Sequence, residues 1–325
     1  MASSALPHPY KDAHRGVTEN RKALGMDREL CDDNSLNADA HFAIVVPVRD
    51  ASNTGSQVYA CVADGVGSWA QFGVDPREFA HQLVSLQLPI YYKSNHFCLD
   101  HYFISVLNCR YLFPDAILDS WNSTLSNHVV GSSTICVATI DTTLNQLSYS
   151  NLGDGGLMVV RHTGSGTAGF VKDMSNDDSD RTSKFSLAYL SQQQLRSFNL
   201  PYQLGYSGSV EYGGSFENPI DADTASIPIL PGDVVIMATD GIFDNIDLSK
   251  HSRSCFRFTV NICLPHPQDT EPVKALAKRL VLKARDASID TRRDSPFALL
   301  AKENDILWSG GMPDDTTVVV MRIVS

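Results

Sequence analysis

The chain has 325 residues, 43% of them hydrophobic, and a formal net charge of −11 from 26 Lys and Arg against 37 Asp and Glu. That much apolar material builds a sizeable core in one large domain or two small ones. The acidic balance, with no clustered basic run, excludes a general nucleic-acid binder, which must neutralise phosphates with Lys and Arg; no stretch approaches the roughly 18 apolar residues of a membrane span.

The first 37 residues are polar and read as an irregular N-terminal segment, followed by a single domain over 38–325. Basic residues (Lys11, Arg15, Arg21, Lys22, Arg28) alternate with Asp12, Glu19, Asp27 and Glu29, a composition that does not suit an acid-poor transit peptide and points to the cytoplasm. Strands are then expected over 41–48 and 58–63, joined by a Ser-, Asn-, Thr- and Gly-rich loop over 50–57. Asp75 is placed to cap a helix, with Pro76 at its first position and Glu78 able to close a capping box; Phe79, Leu83 and Leu86 follow at helical spacing. A second helix is expected over 115–126. Strands at 133–140, 146–152 and 157–161 come next, separated by turns at 141–145 and 153–156.

Residues 163–230 show little periodicity, and the acidic run 176–180 reads as a solvated loop. Residues 234–238 form a buried-type strand. Val273, Leu276, Ala277, Leu280 and Ala284 make one helical apolar stripe, another helix begins at 296–301, and a Val-rich strand at 316–324 ends the chain. Many antiparallel strands with amphipathic helices between them define an α+β fold, a central β-sandwich flanked by helices.

The seven cysteines (Cys31, Cys61, Cys98, Cys109, Cys136, Cys255, Cys263) are odd in number and never spaced C-x-x-C. This argues against a disulfide framework or structural zinc, and for a reducing compartment. Cys61 and Cys136 lie in apolar runs and read as small core residues. His96 and His101 lack a partner at ligand spacing, Trp69 and Trp308 read as packing or surface residues, and Arg292-Arg293-Asp294 as a charge cluster at a helix entry.

Chemistry concentrates in carboxylates that end or follow apolar strands: Asp64 in CVADGVGSW, Asp240 in VVIMATDGIFDN, Asp314 in MPDDTTVVVM and Asp154 in YSNLGDGG. A strand running into Asp-Gly sets a carboxylate at a sheet rim, and glycine lets backbone approach a ligand. Each Asp-Gly alone is an ordinary turn dipeptide. Three such segments, with the Asp314-Asp315 pair before the last strand as a fourth carboxylate source, are what hard divalent cations need, since these take several oxygens plus water.

In their chain order the four segments resemble the type-2C metal-dependent serine/threonine protein phosphatases, in particular the branch reading DGVGGW rather than DGHGG, which includes mitochondrial and plastid members and so implies one of those compartments, against the cytoplasm that the N-terminal composition suggests. CVADGVGSWAQFGVDPREFA, SNLGDGGLMVVR, LPYQLG at 200–205, GDVVIMATDGIFDN and SPFALLAKENDILWSGGMPDDTTVVV carry the resemblance, together with LPHPYK near residue 8. It implies a PPM-type hydrolase that uses magnesium or manganese. Asp64 would bridge two cations, the Gly65 carbonyl would bind one, and Asp240 and Asp314 would hold the second. Asp39 would act through water, and Asp154 and Asp244 match a weaker third site. A hydroxide bridging the cations would attack the phosphoryl group of phosphoserine or phosphothreonine in line, with no Ser, Cys or His nucleophile. The partner would be a phosphoprotein, and a monomer is the default.

The chain departs from the pattern at three points. Ala38 stands where the branch usually has Glu, removing a water-mediated metal contact. Val66 replaces the His of DGHGG, as elsewhere in the branch. The usual phosphate-binding Arg has no match, Lys11 and Arg15 being candidates that otherwise read as solvated charges, so the substrate-phosphate residue is left open. Ala38 motivates an alternative, a pseudophosphatase that binds without turnover; four retained Asp at one rim, which repel one another without cations, argue against it. A calcium-binding domain is the poorer third reading, because no EF-hand spacing occurs.

Overall fold

Runs of Val, Ile and Met buried on both faces become the central strands of two packed antiparallel sheets. The computed structural model describes residues 1–9, 37–50, 53–85, 112–162, 185–211, 214–247 and 271–324. One sheet holds β2 (Ala40–Asp50), β3 (Asn53–Ala63), β5 (Ile135–Asp141), β6 (Gln146–Leu152) and β12 (Asp223–Pro228), in the order β12-β6-β5-β3-β2. The other holds β1 (Ala2–Leu6), β7 (Gly156–His162), β8 (Phe185–Leu190), β13 (Val234–Ala238) and β14 (Thr316–Arg322), in the order β1-β14-β13-β7-β8. Short pairs β4 (Gly131–Ser133) with β11 (Leu204–Tyr206), and β9 (Leu195–Ser197) with β10 (Leu200–Pro201), sit beside them.

Side chains alternate across each strand, so one strand feeds two apolar layers. Leu157, Val159, Val235, Met237, Val319 and Met321 face Ala60, Val62, Cys136, Ala138, Ile140 and Tyr149 between the sheets. Met158, Val160, Val234, Ile236, Val318 and Val320 face outward and are covered by Val273, Leu276, Ala277, Leu280 and Ala284 of helix α4 (Glu271–Ser288). On the opposite side, Phe42, Tyr59, Cys61, Ile135 and Val137 are covered by Phe79, Ala80 and Leu83 of helix α1 (76–85) and by Ile117 of helix α2 (Leu112–Ser126). The layers are helix, sheet, sheet, helix, the expected β-sandwich flanked by helices. A short helix α3 (Asp240–Phe243) and helix α5 (Pro296–Glu303) complete the described elements used below.

Three expectations are corrected. Residues 2–6 are not irregular: β1 pairs with β14 from Ala2↔Val320 to Leu6↔Thr316, because β14 would otherwise leave a row of unpaired backbone groups at the sheet edge. Most of the expected 50–57 loop is strand, with pairing continuing to Asp50↔Asn53; ladder hydrogen bonds outweigh the weak strand propensity of Ser, Asn and Gly. The low-periodicity region contains β8 to β12, of which β12 is an edge strand paired with β6. Lys11, Arg15, Leu86, His96, His101, residues 176–180 and the cysteines other than Cys61 and Cys136 lie outside the described residues.

Candidate metal centre

Strand register gathers the carboxylates. Ala40 pairs with Ala63, so Asp39 and Asp64 leave adjacent strands at the same end of one sheet. In the other sheet Ala238 pairs with both Gly156 and Val318, which brings the turn holding Asp154, the start of α3 at Asp240 and the segment before β14 at Asp314 to one end. The two ends meet across the sandwich. The hydroxyl of Thr239 donates to Asp39 Oδ2 at 3.0 Å, and Asn37 Nδ2 donates to Thr317 Oγ1 at 3.2 Å.

The Asp-Gly glycines have a structural reason that differs from the one expected. A Cβ on Gly65 would stand 2.2 Å from the Pro76 carbonyl oxygen and 2.8 Å from that of Ala38. One on Gly241 would stand 1.9 Å from the Asp315 carbonyl oxygen. At both positions the close approach is by the protein's own backbone, and it fixes where the preceding carboxylate points. Asp64 is further fixed by its carbonyl, which accepts from Thr134 N at 3.0 Å and Ser133 Oγ at 2.8 Å. Trp69 is fully buried and its indole donates to Ser132 Oγ at 2.6 Å, clamping the loop after Gly65.

Electrostatically the rim is a cluster of like charges. Burial, then the fields of Asp240, Asp39 and Asp314, hold the Asp64 carboxyl well above the usual carboxylate range. Burial and the neighbouring Asp315 and Asp314 push Asp39 up to about 8. Burial and Asp154 push Asp240 up to about 8, and burial and Asp314 push Asp154 up to about 7. Asp244 is raised by burial and by Asp240, Asp154 and Asp314. All seven positions singled out in the sequence, Asp39, Asp64, Gly65, Asp154, Asp240, Asp244 and Asp314, therefore lie at one rim.

The donor set fits hard divalent cations. Asp39 Oδ1, Asp154 Oδ1 and Asp240 Oδ1 are buried without a hydrogen-bond partner, a costly state for a carboxylate unless a cation or water completes it. Among the described residues no three His, Cys, Asp or Glu side chains form a ready-made cage. A cation here would draw these carboxylates together and complete its shell with water, as magnesium does.

Several supporting residues were missed in the sequence. Thr239 accepts from Thr317 N at 3.1 Å while donating to Asp39. Asn245 donates to the Gly241 carbonyl at 3.0 Å and to that of Met312 at 2.7 Å, and accepts from Met312 N at 2.8 Å, tying α3 to the Asp314 segment. Asp315 accepts from Ala38 N at 2.8 Å and from His8 N, so it anchors the chain before β2 and after β1. Ala38, where a metal contact had been expected to be missing, is 2% exposed and packs its carbonyl against Gly65. Such long-range partners leave no local pattern; only the LPHP segment hinted that residues near His8 belong to the site.

No protein-family model matches the chain. Among curated proteins it is 30% identical over 296 residues to the PTC7 homolog fig, a protein phosphatase of Drosophila virilis, covering 90% of this chain and 80% of the relative. It is 31% identical over 267 residues to the counterpart in Drosophila sechellia, covering 81% and 72%. Among solved structures, the photosystem II phosphatase PBCP superposes with a TM-score of 0.63 at 21% identity, covering 99% of this chain and 97% of that one, which shows a shared fold. The chain therefore belongs to the type-2C protein phosphatase family and, as a member, is a phosphoprotein phosphatase. The relatives it matches carry the name PTC7 homolog.

Proposed function

We propose that this chain hydrolyses phosphoserine and phosphothreonine in protein substrates at the carboxylate rim, with Asp64, Asp240 and Asp314 as its essential residues. The single observation that carries this reading is the convergence at one rim of carboxylates whose charges repel, three of which (Asp39, Asp154 and Asp240) each keep one buried oxygen without a hydrogen-bond partner. Asp64 and the Gly65 carbonyl would hold one cation, Asp64, Asp240 and Asp314 a second, and Asp154 with Asp244 a weaker third; magnesium or manganese suits these oxygens. When bound, such cations supply an acidified water and positive charge opposite the phosphoryl oxygens.

The protein's own part is orientation. Gly65 and Gly241 fix the two Asp carboxylates against neighbouring backbone, and Thr239 holds Asp39 beside Asp64. The buried thiols of Cys61 and Cys136 are pushed up by burial and stay protonated, so they take no part.

The test is release of phosphate from p-nitrophenyl phosphate and a phosphothreonine peptide, with manganese, with magnesium and with EDTA. Metal-dependent release that disappears in Asp240→Asn supports the reading. Cation binding by calorimetry without turnover of either substrate would overturn it in favour of a binding protein.

A further inference from the structure

A phosphorylated serine or threonine carries about two negative charges, and the rim it must reach is itself acidic. The carboxylates of Asp240, Asp39 and Asp314 already act on Asp64 as like charges. A side-chain cation at the same wall would offset that repulsion and bind the phosphoryl oxygens directly. Guanidinium suits this task, because its planar fork matches two oxygens of one phosphoryl group.

Arg77 stands at that wall. The residue before it is pressed onto Gly65: a Cβ at Gly65 would lie 2.2 Å from the Pro76 carbonyl oxygen and 3.0 Å from its carbon. Ala38 closes the other side of Gly65, with its carbonyl oxygen 2.8 Å from the same point, while Ala38 N donates to Asp315 Oδ2 at 2.8 Å. Pro76, Gly65, Ala38 and Asp315 therefore form one run of contacts, and Arg77 leaves it from the Pro76 end. The helix carrying Arg77 is fixed in place, since Phe79, Ala80 and Leu83 of α1 are fully buried in the layer over the β2 sheet.

Asp75 aims the guanidinium. Arg77 Nε donates to Asp75 Oδ1 at 2.9 Å and to Oδ2 at 3.0 Å, and Nη2 donates to Oδ2. Because the group is planar, pairing along its Nε–Nη2 edge turns its Nη1–Nη2 edge away from Asp75. The hydrogen bond to Asp75 holds Arg77 above its ordinary range, and the charge of Asp315 adds to this, so the guanidinium stands within the Asp315 field. The side chain is 29% exposed, which leaves it accessible to a solute. A helix-entry ion pair accounts for the contact with Asp75. It does not account for a cation packed beside Gly65 and within the field of the residue that follows Asp314.

We propose that Arg77 is a substrate-binding residue of this phosphatase, its guanidinium taking phosphoryl oxygens on the Gly65 side of the rim while Asp75 sets its orientation. This rests on the phosphatase reading above. The contact is with the phosphoryl group, so it serves phosphopeptides, p-nitrophenyl phosphate and inorganic phosphate alike. It plays no part in holding cations on the carboxylates.

The experiment measures the inhibition constant of inorganic phosphate and kcat/KM for p-nitrophenyl phosphate at saturating magnesium, in the wild type, Arg77→Lys and Arg77→Ala. Magnesium affinity by calorimetry and the melting temperature are read on the same proteins. Arg77→Ala is expected to raise the phosphate inhibition constant about ten- to a hundredfold, the scale of losing charge-assisted hydrogen bonds, and to lower kcat/KM in parallel without weaker magnesium binding. Arg77→Lys keeps the charge and loses the fork, so it should fall between the two, and it decides the matter if circular dichroism shows the alanine variant misfolded. A lower melting temperature with an unchanged phosphate inhibition constant would make Arg77 a helix-entry residue only and overturns the proposal. Magnesium binding weakened as much as phosphate binding overturns it too, because Arg77 would then act on the carboxylates. A wild type inactive on p-nitrophenyl phosphate with magnesium and with manganese defeats the phosphatase reading itself. Calorimetric titration of inorganic phosphate into the magnesium-loaded wild type and Arg77→Ala then tests Arg77 separately, equal affinities counting against it.

Discussion

Asp64 is raised by burial and by three neighbouring carboxylates, so removing its charge acts on two properties in opposite directions. Asp64→Asn should lower metal-dependent turnover by about a thousand-fold or more, the scale of losing a central charge-stabilising group. The same change should weaken magnesium binding in calorimetry yet raise the melting temperature of the EDTA-treated protein by a few degrees, about what 1 kcal/mol of relieved repulsion produces. A thermal shift in the other direction would mean that Asp64 is held by favourable contacts. Cys61 gives the contrast. It is fully buried among apolar side chains, so Cys61→Ser should leave turnover per folded molecule unchanged while costing about 1–3 kcal/mol in denaturant unfolding, because the hydroxyl lacks a partner there. That Asp64 follows a strand and that Cys61 lies in the core were legible from the residues alone, since each depends on type and immediate flanks.

At the scale of elements, β1 shows what local patterning misses. Its sequence, ASSAL, is neither strongly apolar nor β-branched, and its reason for being extended is the open edge of β14. Beyond it, His8 and Ala38 both donate to Asp315, so this strand also steadies the approach to Asp39. Deleting residues 1–6 should expose the β14 edge. The expected outcome is a lower melting temperature and rising light scattering at high protein concentration, with a loss of metal affinity in the soluble fraction. A truncated chain that melts like the parent and binds magnesium equally would show that β1 is dispensable. The helices were easier to read. The stripe from Val273 to Ala284 packs as its spacing required, and Asp75 caps α1 by accepting from Arg77 N at 3.0 Å while its carboxylate also holds the Arg77 guanidinium.

For the whole molecule, the carboxylate rim sets a pH dependence. Burial and neighbouring carboxylates push Asp39 and Asp240 up to about 8 and Asp154 up to about 7 in the folded chain, against about 4 in an unfolded one. The folded state therefore binds more protons than the unfolded state between these values. Stability contributed by these groups is greatest at the acid end of that window and declines as pH rises through it. With EDTA the melting temperature should fall between about pH 5.5 and 8.5, and the fall should be shallower in Asp240→Asn. With excess magnesium the stabilisation should grow with pH, because cation binding displaces those protons. Scanning fluorimetry across this range, with and without metal, reads both; a metal-independent pH profile would remove the coupled carboxylates from the account.

The sequence alone determined the identity of the carboxylates, the order of the main strands and the two helical layers, because period-2 and helical spacing and the Asp-Gly flanks are written over a few consecutive residues. The resemblance of four segments in chain order extended that to a family and a reaction. Tertiary structure alone decided that Gly65 and Gly241 make room for backbone, that Thr239 and Asn245 brace the site, and that Asp315 anchors the residues around β1 and β2. These features join residues separated by tens to hundreds of positions. Their cause is strand register and sheet packing, which no local pattern encodes.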